Sequence, residues 1–275
     1  MLAGMRFLIA GLILFGISRL RGAPMPSRLE WRNAALLGFI LLVCGSGAVA
    51  VAEGLGVASG LASIGFASVP VWSAIFVALL FRQTSRLEWL GVALGFAGVV
   101  LLNLGGDLRG QPLGAAVLIF SAVSWAFGAV ISPRFKLAGG SMTSATQMIC
   151  AGVIELLLSA FVVREHIRLP ITAGAVLGEL YLIFFGSLLA FSAFTYLVHH
   201  VRPALATSYT YINPIVAVGL GVLVVGERIT STDVIAMLVI LSGVAVIAMA
   251  RSNFAARLSP ASASAPVAAT HNDQP

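Results

Sequence analysis

Two stretches decide how this chain folds: residues 55–81, LGVASGLASIGFASVPVWSAIFVALLF, and residues 203–226, PALATSYTYINPIVAVGLGVLVVG. Each is long enough to cross a hydrocarbon core about 30 Å thick as a helix. Neither contains Asp, Glu, Lys or Arg, and each holds a proline near its middle, Pro70 and Pro214. A proline inside a helix removes one backbone hydrogen bond and frees the carbonyl four residues earlier, here Phe66 or Thr210. Water would leave such segments with far too much uncovered apolar surface, whereas lipid satisfies that surface.

The two stretches also align with each other. At an offset of 144, Leu61, Ala62, Ser63, Pro70 and Val71 fall on Leu205, Ala206, Thr207, Pro214 and Ile215. One residue later in register, Glu88 falls on Asp233 and Gly98 on Gly243. Earlier in the chain an offset of 141 places Arg6, Ala10 and Gly11 on Gln147, Ala151 and Gly152. Near-equal offsets, in order along the chain, describe two related halves.

Working outward, apolar runs predict nine transmembrane helices, at about 2–20, 34–52, 55–81, 87–104, 113–131, 142–163, 175–198, 203–226 and 232–250. The fold class is all-α, a polytopic membrane protein built as an inverted-repeat helix bundle. Residues 1–104 hold four helices of the first repeat and residues 113–250 hold five of the second. The repeat therefore predicts a tenth helix ahead of residue 1. With it, the halves would be inverted relative to each other, an architecture common among secondary transporters. Residues 252–275 are small, polar and proline-containing, and are expected to form a disordered tail.

Charge sets the orientation. The loop holding Arg19, Arg21, Arg28 and Arg32, with every second loop after it, carries eleven Lys and Arg, against four in the others. Positive loops stay inside, so that loop and the C-terminus are expected in the cytoplasm. The chain is 59% hydrophobic and 9% charged, with a net charge of +6. Soluble domains carry about 25% charged residues. The basic residues are scattered singly between apolar runs, which excludes a nucleic-acid partner. Cys44 and Cys150 lie inside apolar runs and His199 and His200 are adjacent, so no metal spacing and no cofactor motif is read. Met1 opens straight into an apolar run, without the basic start of a signal peptide.

Residues 54–81, residues 121–135 (SAVSWAFGAVISPRF) and above all residues 202–230 (RPALATSYTYINPIVAVGLGVLVVGERIT) resemble the EamA-type transporters of the drug/metabolite transporter superfamily, in their YedA-like branch. The likeness covers about residues 1–250. It implies ten transmembrane helices, an inverted repeat in a bacterial inner membrane, and export of small solutes such as amino acids or drug-like amphiphiles. This chain departs from that pattern by lacking the family's first helix.

Several residues are candidates for transport. Pro70 and Pro214 would expose backbone to a central cavity, or simply kink their helices. Tyr209, Tyr211 and Asn213 form a polar, aromatic cluster around Pro214, and Trp72 and Trp125 offer aromatic walls for a substrate. Arg6 and Glu53 are expected at the same outer end and to pair there as a gate, or to reach separately for the headgroups. Glu155, with Gln147 within about 80° of it around the helix, is a candidate carrier of a coupling proton. Expected partners are a small-molecule substrate and the bilayer, with a homo-oligomer left open. The competing readings are a truncated or partner-dependent membrane subunit and an intramembrane enzyme acting on lipid. The enzyme would need acid, base and nucleophile at one depth, and the carboxylates are scattered.

Overall fold

The computed structural model describes residues 1–57, 62, 65–81, 85–102, 112–163, 172–213, 216 and 231–258, and regular structure among them is helical throughout. Helix α1 is Leu2–Leu20, and it stops where Gly22 takes a φ of +83°, a conformation that costs glycine little. Helix α2, Arg28–Gly54, starts on a reciprocal cap, with the Ser27 hydroxyl accepting from Glu30 N–H and the Glu30 carboxylate from Ser27 N–H. Helix α3 is Val69–Phe81 and α4 is Arg86–Leu102. Ser85 and Glu88 repeat the reciprocal cap at the start of α4. Helix α5, Pro112–Ile131, places proline in its first turn and tightens into a 3₁₀ turn at Ser132–Arg134. Helices α6, Ser141–Leu158, and α7, Ala173–His200, follow. The short α8, Pro203–Thr207, and the long α9, Ser231–Leu258, complete the order.

Five of these runs are long and apolar enough to cross a membrane: α1, α2, α5 with its 3₁₀ turn, α6 extended to Phe161, and α7. Their outer faces carry Leu177 at 67% exposure and Phe161 at 75%, positions that lipid covers and water would not.

Three expectations need correction. Pro70 does not interrupt a helix from within. It sits in the first turn of α3, after a turn at Ala67 and Ser68, where a missing N–H costs little. Ser68 N–H and Oγ both donate to the Gly65 carbonyl and close that turn. The span expected to begin at 203 opens as α8 and then tightens into a 3₁₀ turn over Ser208–Tyr211, because Thr207, Ser208 and Thr210 turn their hydroxyls back onto carbonyls three or four residues earlier. Finally, α9 runs on to Leu258, so residues 252–258 are helical where a disordered tail was expected. Pro214 and residues 259–275 lie outside the described residues.

The halves meet through their own repeat mates. A Cβ added at Gly11 of α1 would come within 2.8 Å of Ile149 N and 3.1 Å of Ala145 O. One added at Gly152 of α6 would come within 2.5 Å of Leu8 N and 2.8 Å of Gly4 O. At the offset of 141 these contacts are reciprocal, since Gly11, Leu8 and Gly4 fall on Gly152, Ile149 and Ala145. The same holds for α4 and α9. Gly98 meets Ile240 N at 2.8 Å and Ala236 O at 3.0 Å, while Gly243 meets Gly95 N at 2.4 Å and Gly91 O at 2.8 Å. In both pairs the residue number rises along one helix as it falls along the other. Self-reciprocal, antiparallel contacts are what a two-fold axis produces. Here it lies across the helices, so the halves are inverted. Only glycine lets the backbones approach this closely.

Candidate functional site

The central core draws on both halves, and Trp125 of α5 is its hub. Its ring lies 5.5 Å from Phe66, 4.9 Å from Phe194 and 6.4 Å from Phe191, centroid to centroid, and Phe194 lies 6.0 Å from Tyr209. Trp72 packs partly buried against the same core. The structure thus brings together three of the expected aromatic residues, Trp72, Trp125 and Tyr209, and adds Phe66, Phe191 and Phe194. Polar atoms are buried in the bundle without hydrogen-bond partners: both amide atoms of Gln147, Ser73 Oγ and Ser187 Oγ. Trp125 Nε1 instead faces the Tyr209 hydroxyl. Unpaired buried groups cost stability and call for an explanation. A solute with its own donors and acceptors would supply one.

Tyr211 and Asn213 do not join this core. Tyr211 is fully buried on the other side, where its ring lies over Gly95 and its hydroxyl donates to the Val92 carbonyl at 3.1 Å. It holds α4 in place. Asn213 is exposed.

Arg6 and Glu53 are not joined by an ion pair among the described residues, and Glu53 is exposed at the end of α2. The charges that act on Arg6 are those of Glu179 of α7 and Glu155 of α6. None of Arg6 Nε, the two Glu155 oxygens or Glu179 Oε1 has a hydrogen-bond partner. The guanidinium instead rests over the Phe7 ring at 4.6 Å. One cation therefore lies in the field of two carboxylates carried by helices of the apolar part of the chain.

No pattern of residues foretells the local geometry that shapes this region. Within α2, Phe39–Gly47 is a π-helical stretch, and within α7 so is Leu182–Phe191. At the repeat offset of 144, Phe39 falls on Ile183 and Gly47 on Phe191, so the two stretches are mates. A π turn widens the helix and recurs at functional sites. In α2 its carbonyls at Gly45 and Ile40 accept from Ser121 and Ser124 of α5, at 2.7 and 2.8 Å. Its glycines open the space that the site fills. A Cβ at Gly45 would come within 2.8 Å of the Trp125 ring, and one at Gly47 within 2.7 Å of Glu155 Oε1.

At the opposite end of α1 and α6 the basic loops come together. Ser18 and Ser141 share a 2.7 Å hydrogen bond, and Asn33 donates to the Lys136 carbonyl at 2.9 Å. Arg134 lies 3.9 Å over Phe81, and Arg202 pairs with the buried Glu88 at 3.2 Å. That last pair joins the first repeat to the second at the mouth of a cavity of about 200 Å³.

Two inverted halves around an aromatic core, with charge held inside the apolar zone, define a multi-pass membrane transporter of the inverted-repeat class. The chain belongs to the EamA-like transporter family, whose model matches residues 1–104 and 112–249. It is 41% identical to the uncharacterized inner membrane transporter YedA of Escherichia coli (strain K12), over 94% of this chain and 84% of the relative. It is 24% identical to the uncharacterized transporter YvbV of Bacillus subtilis (strain 168), over 89% of this chain and 81% of the relative. A solved crystal structure shares the fold with a TM-score of 0.73 at 21% identity, covering 91% of this chain and 88% of the other.

Proposed function

We propose that this protein is a secondary exporter in a bacterial inner membrane, moving small organic solutes by alternating access with its basic end and C-terminus in the cytoplasm. One observation carries the reading. The aromatic core and its partnerless polar atoms lie among residues of both repeats, and the repeats meet through reciprocal glycine crossings. Rocking of one half about those crossings exposes the core first to one side and then to the other. Aromatic walls suit amino acids or drug-like amphiphiles. The half-buried carboxylates of Glu155 and Glu179 act on Arg6, with no nucleophile among the described residues recorded beside them, which suits transport better than catalysis.

The test is solute accumulation in cells that lack or express the full-length gene, across a metabolite panel. Lower retention of at least one solute on expression, reversed by Trp125→Ala at equal protein level, supports export. Unchanged retention of every solute removes it. We further propose that Glu155 carries a coupling proton. The charged groups facing it are Arg6 and the Met1 amine, and Arg6 in turn lies in the field of Glu179. Glu155→Gln should then flatten the pH dependence of export, and an unchanged pH profile removes Glu155 from that role.

A further inference from the structure

We propose that Glu88 and Arg202 gate the basic end of the transport path, as a latch between the repeats that is closed in this structure and parts when the core opens on that side. This rests on the exporter reading, because it assigns a role within the same alternation.

Four observations carry it. First, the pair crosses between the repeats. Glu88 lies in the first turn of α4 and Arg202 just ahead of α8, and Arg202 Nη1 donates to Glu88 Oε2 at 3.2 Å. Beside it the Arg134 guanidinium rests 3.9 Å over the Phe81 ring, a second contact between the repeats at the same mouth. Second, the pair stands on the way to the aromatic core. The cavity at that mouth has Val77 and Phe81 of α3 and Val130 of α5 in its wall. Followed inward, the same two helices carry Phe76 and Phe127, whose rings meet at 5.3 Å, and then Trp72 and Trp125. Third, Arg202 sits on a hinge. Val201 and Arg202 are extended, with ψ of 167° and 146°, between the end of α7 at His200 and the start of α8 at Pro203. Two extended residues absorb a rotation that a continuous helix resists. Fourth, the partners suit a contact that breaks and re-forms. The Glu88 side chain is 6% exposed and that of Arg202 is 23% exposed. A carboxylate this buried needs either its cation or water. The closed mouth supplies the cation and an open mouth supplies water, so Glu88 is satisfied in both states. The latch is also one-sided. Glu88 falls on Asp233 at the offset of 145, but Arg202 falls on Ala58 at 144, and an acid with an alanine cannot form the same pair.

The reactivity of a buried cysteine tests the latch without any substrate. The full chain carrying Cys44→Ser, Cys150→Ser and Val130→Cys is reconstituted in lipid nanodiscs, and its rate of reaction with a water-soluble maleimide is measured. Val130 is 2% exposed and lines the cavity. Glu88→Gln and Arg202→Gln should each speed labelling about tenfold, as loss of a charge-assisted hydrogen bond implies. Arg202→Lys keeps the charge and should label more slowly than Arg202→Gln. The control replaces Val130→Cys by Val57→Cys. Val57 is 4% exposed against Gly114, at the other end of α5, and its labelling should not rise. Unchanged labelling at position 130 in either glutamine variant overturns the latch. So does an equal rise at positions 130 and 57, which is loosening of the whole bundle, and so do equal rates for Arg202→Lys and Arg202→Gln. If the variants open the basic end as expected and the unaltered chain exports no solute, the exporter reading fails and the latch stands.

Discussion

At the scale of single residues, Trp125 and Arg6 carry the most consequence. Trp125→Ala removes the hub that touches Phe66, Phe191 and Phe194, and should cost about 3–5 kcal/mol of stability, read as a lower thermal midpoint in detergent. Trp125→Phe keeps a ring there but deletes the Nε1–H that faces the Tyr209 hydroxyl, so it should weaken transport more than it weakens the fold. Arg6→Gln leaves Glu155 and Glu179 without the cation between them. It should lower the midpoint more than Glu155→Gln does, and a double-mutant cycle should show about 1–2 kcal/mol of coupling between the two sites. A coupling near zero would mean that the two charges do not sense each other. This was only half legible in the sequence. Apolar run lengths place Arg6 and Glu155 along their helices, but which neighbours share a side depends on packing between helices. For that reason Glu53 looked like the partner and is not. The Tyr209–Tyr211–Asn213 cluster divides for a simpler reason. In the 3₁₀ turn that holds them, residues two apart lie about 240° around the axis, so Tyr209 and Tyr211 face different ways.

At the scale of elements, the glycine crossings and the π stretches make separate predictions. Gly243→Ala would drive a Cβ to 2.4 Å from Gly95 N, against backbone that cannot give way. It should cost about 1–3 kcal/mol in unfolding assays, and so should its mate Gly98→Ala. Gly16→Ala, with nothing within 4 Å of the added Cβ, is the control and should be neutral. Ser121→Ala and Ser124→Ala each strip a donor from a carbonyl of the widened turn in α2, and should each cost about 1 kcal/mol. The crossings were readable as repeat-aligned glycines, because close packing demands that residue type. The π stretches were not. FILLVCGSG at 39–47 and IFFGSLLAF at 183–191 share little beyond apolarity, and apolarity does not distinguish a wide turn from an ordinary one. Their equal placement emerges from backbone geometry alone.

At the scale of the whole molecule, inversion was the most legible property. Three near-equal offsets in the sequence become two reciprocal, antiparallel crossings in the structure. The basic loops that predicted orientation also gather physically at one end, where Arg202 and Glu88 tie the repeats together. What the sequence could not deliver was the interior, since a core shared by two halves is made of contacts between residues far apart in the chain. The central claim is that the two halves alternate access to that shared core. Counterflow in proteoliposomes tests it most directly, with the full chain reconstituted and a panel of small organic acids, amino acids and aromatic amphiphiles preloaded inside. The account predicts that at least one preloaded solute accelerates saturable entry of its own labelled form, and that Trp125→Ala abolishes the effect in intact protein. Entry that never saturates and is indifferent to solute on the far side would contradict it.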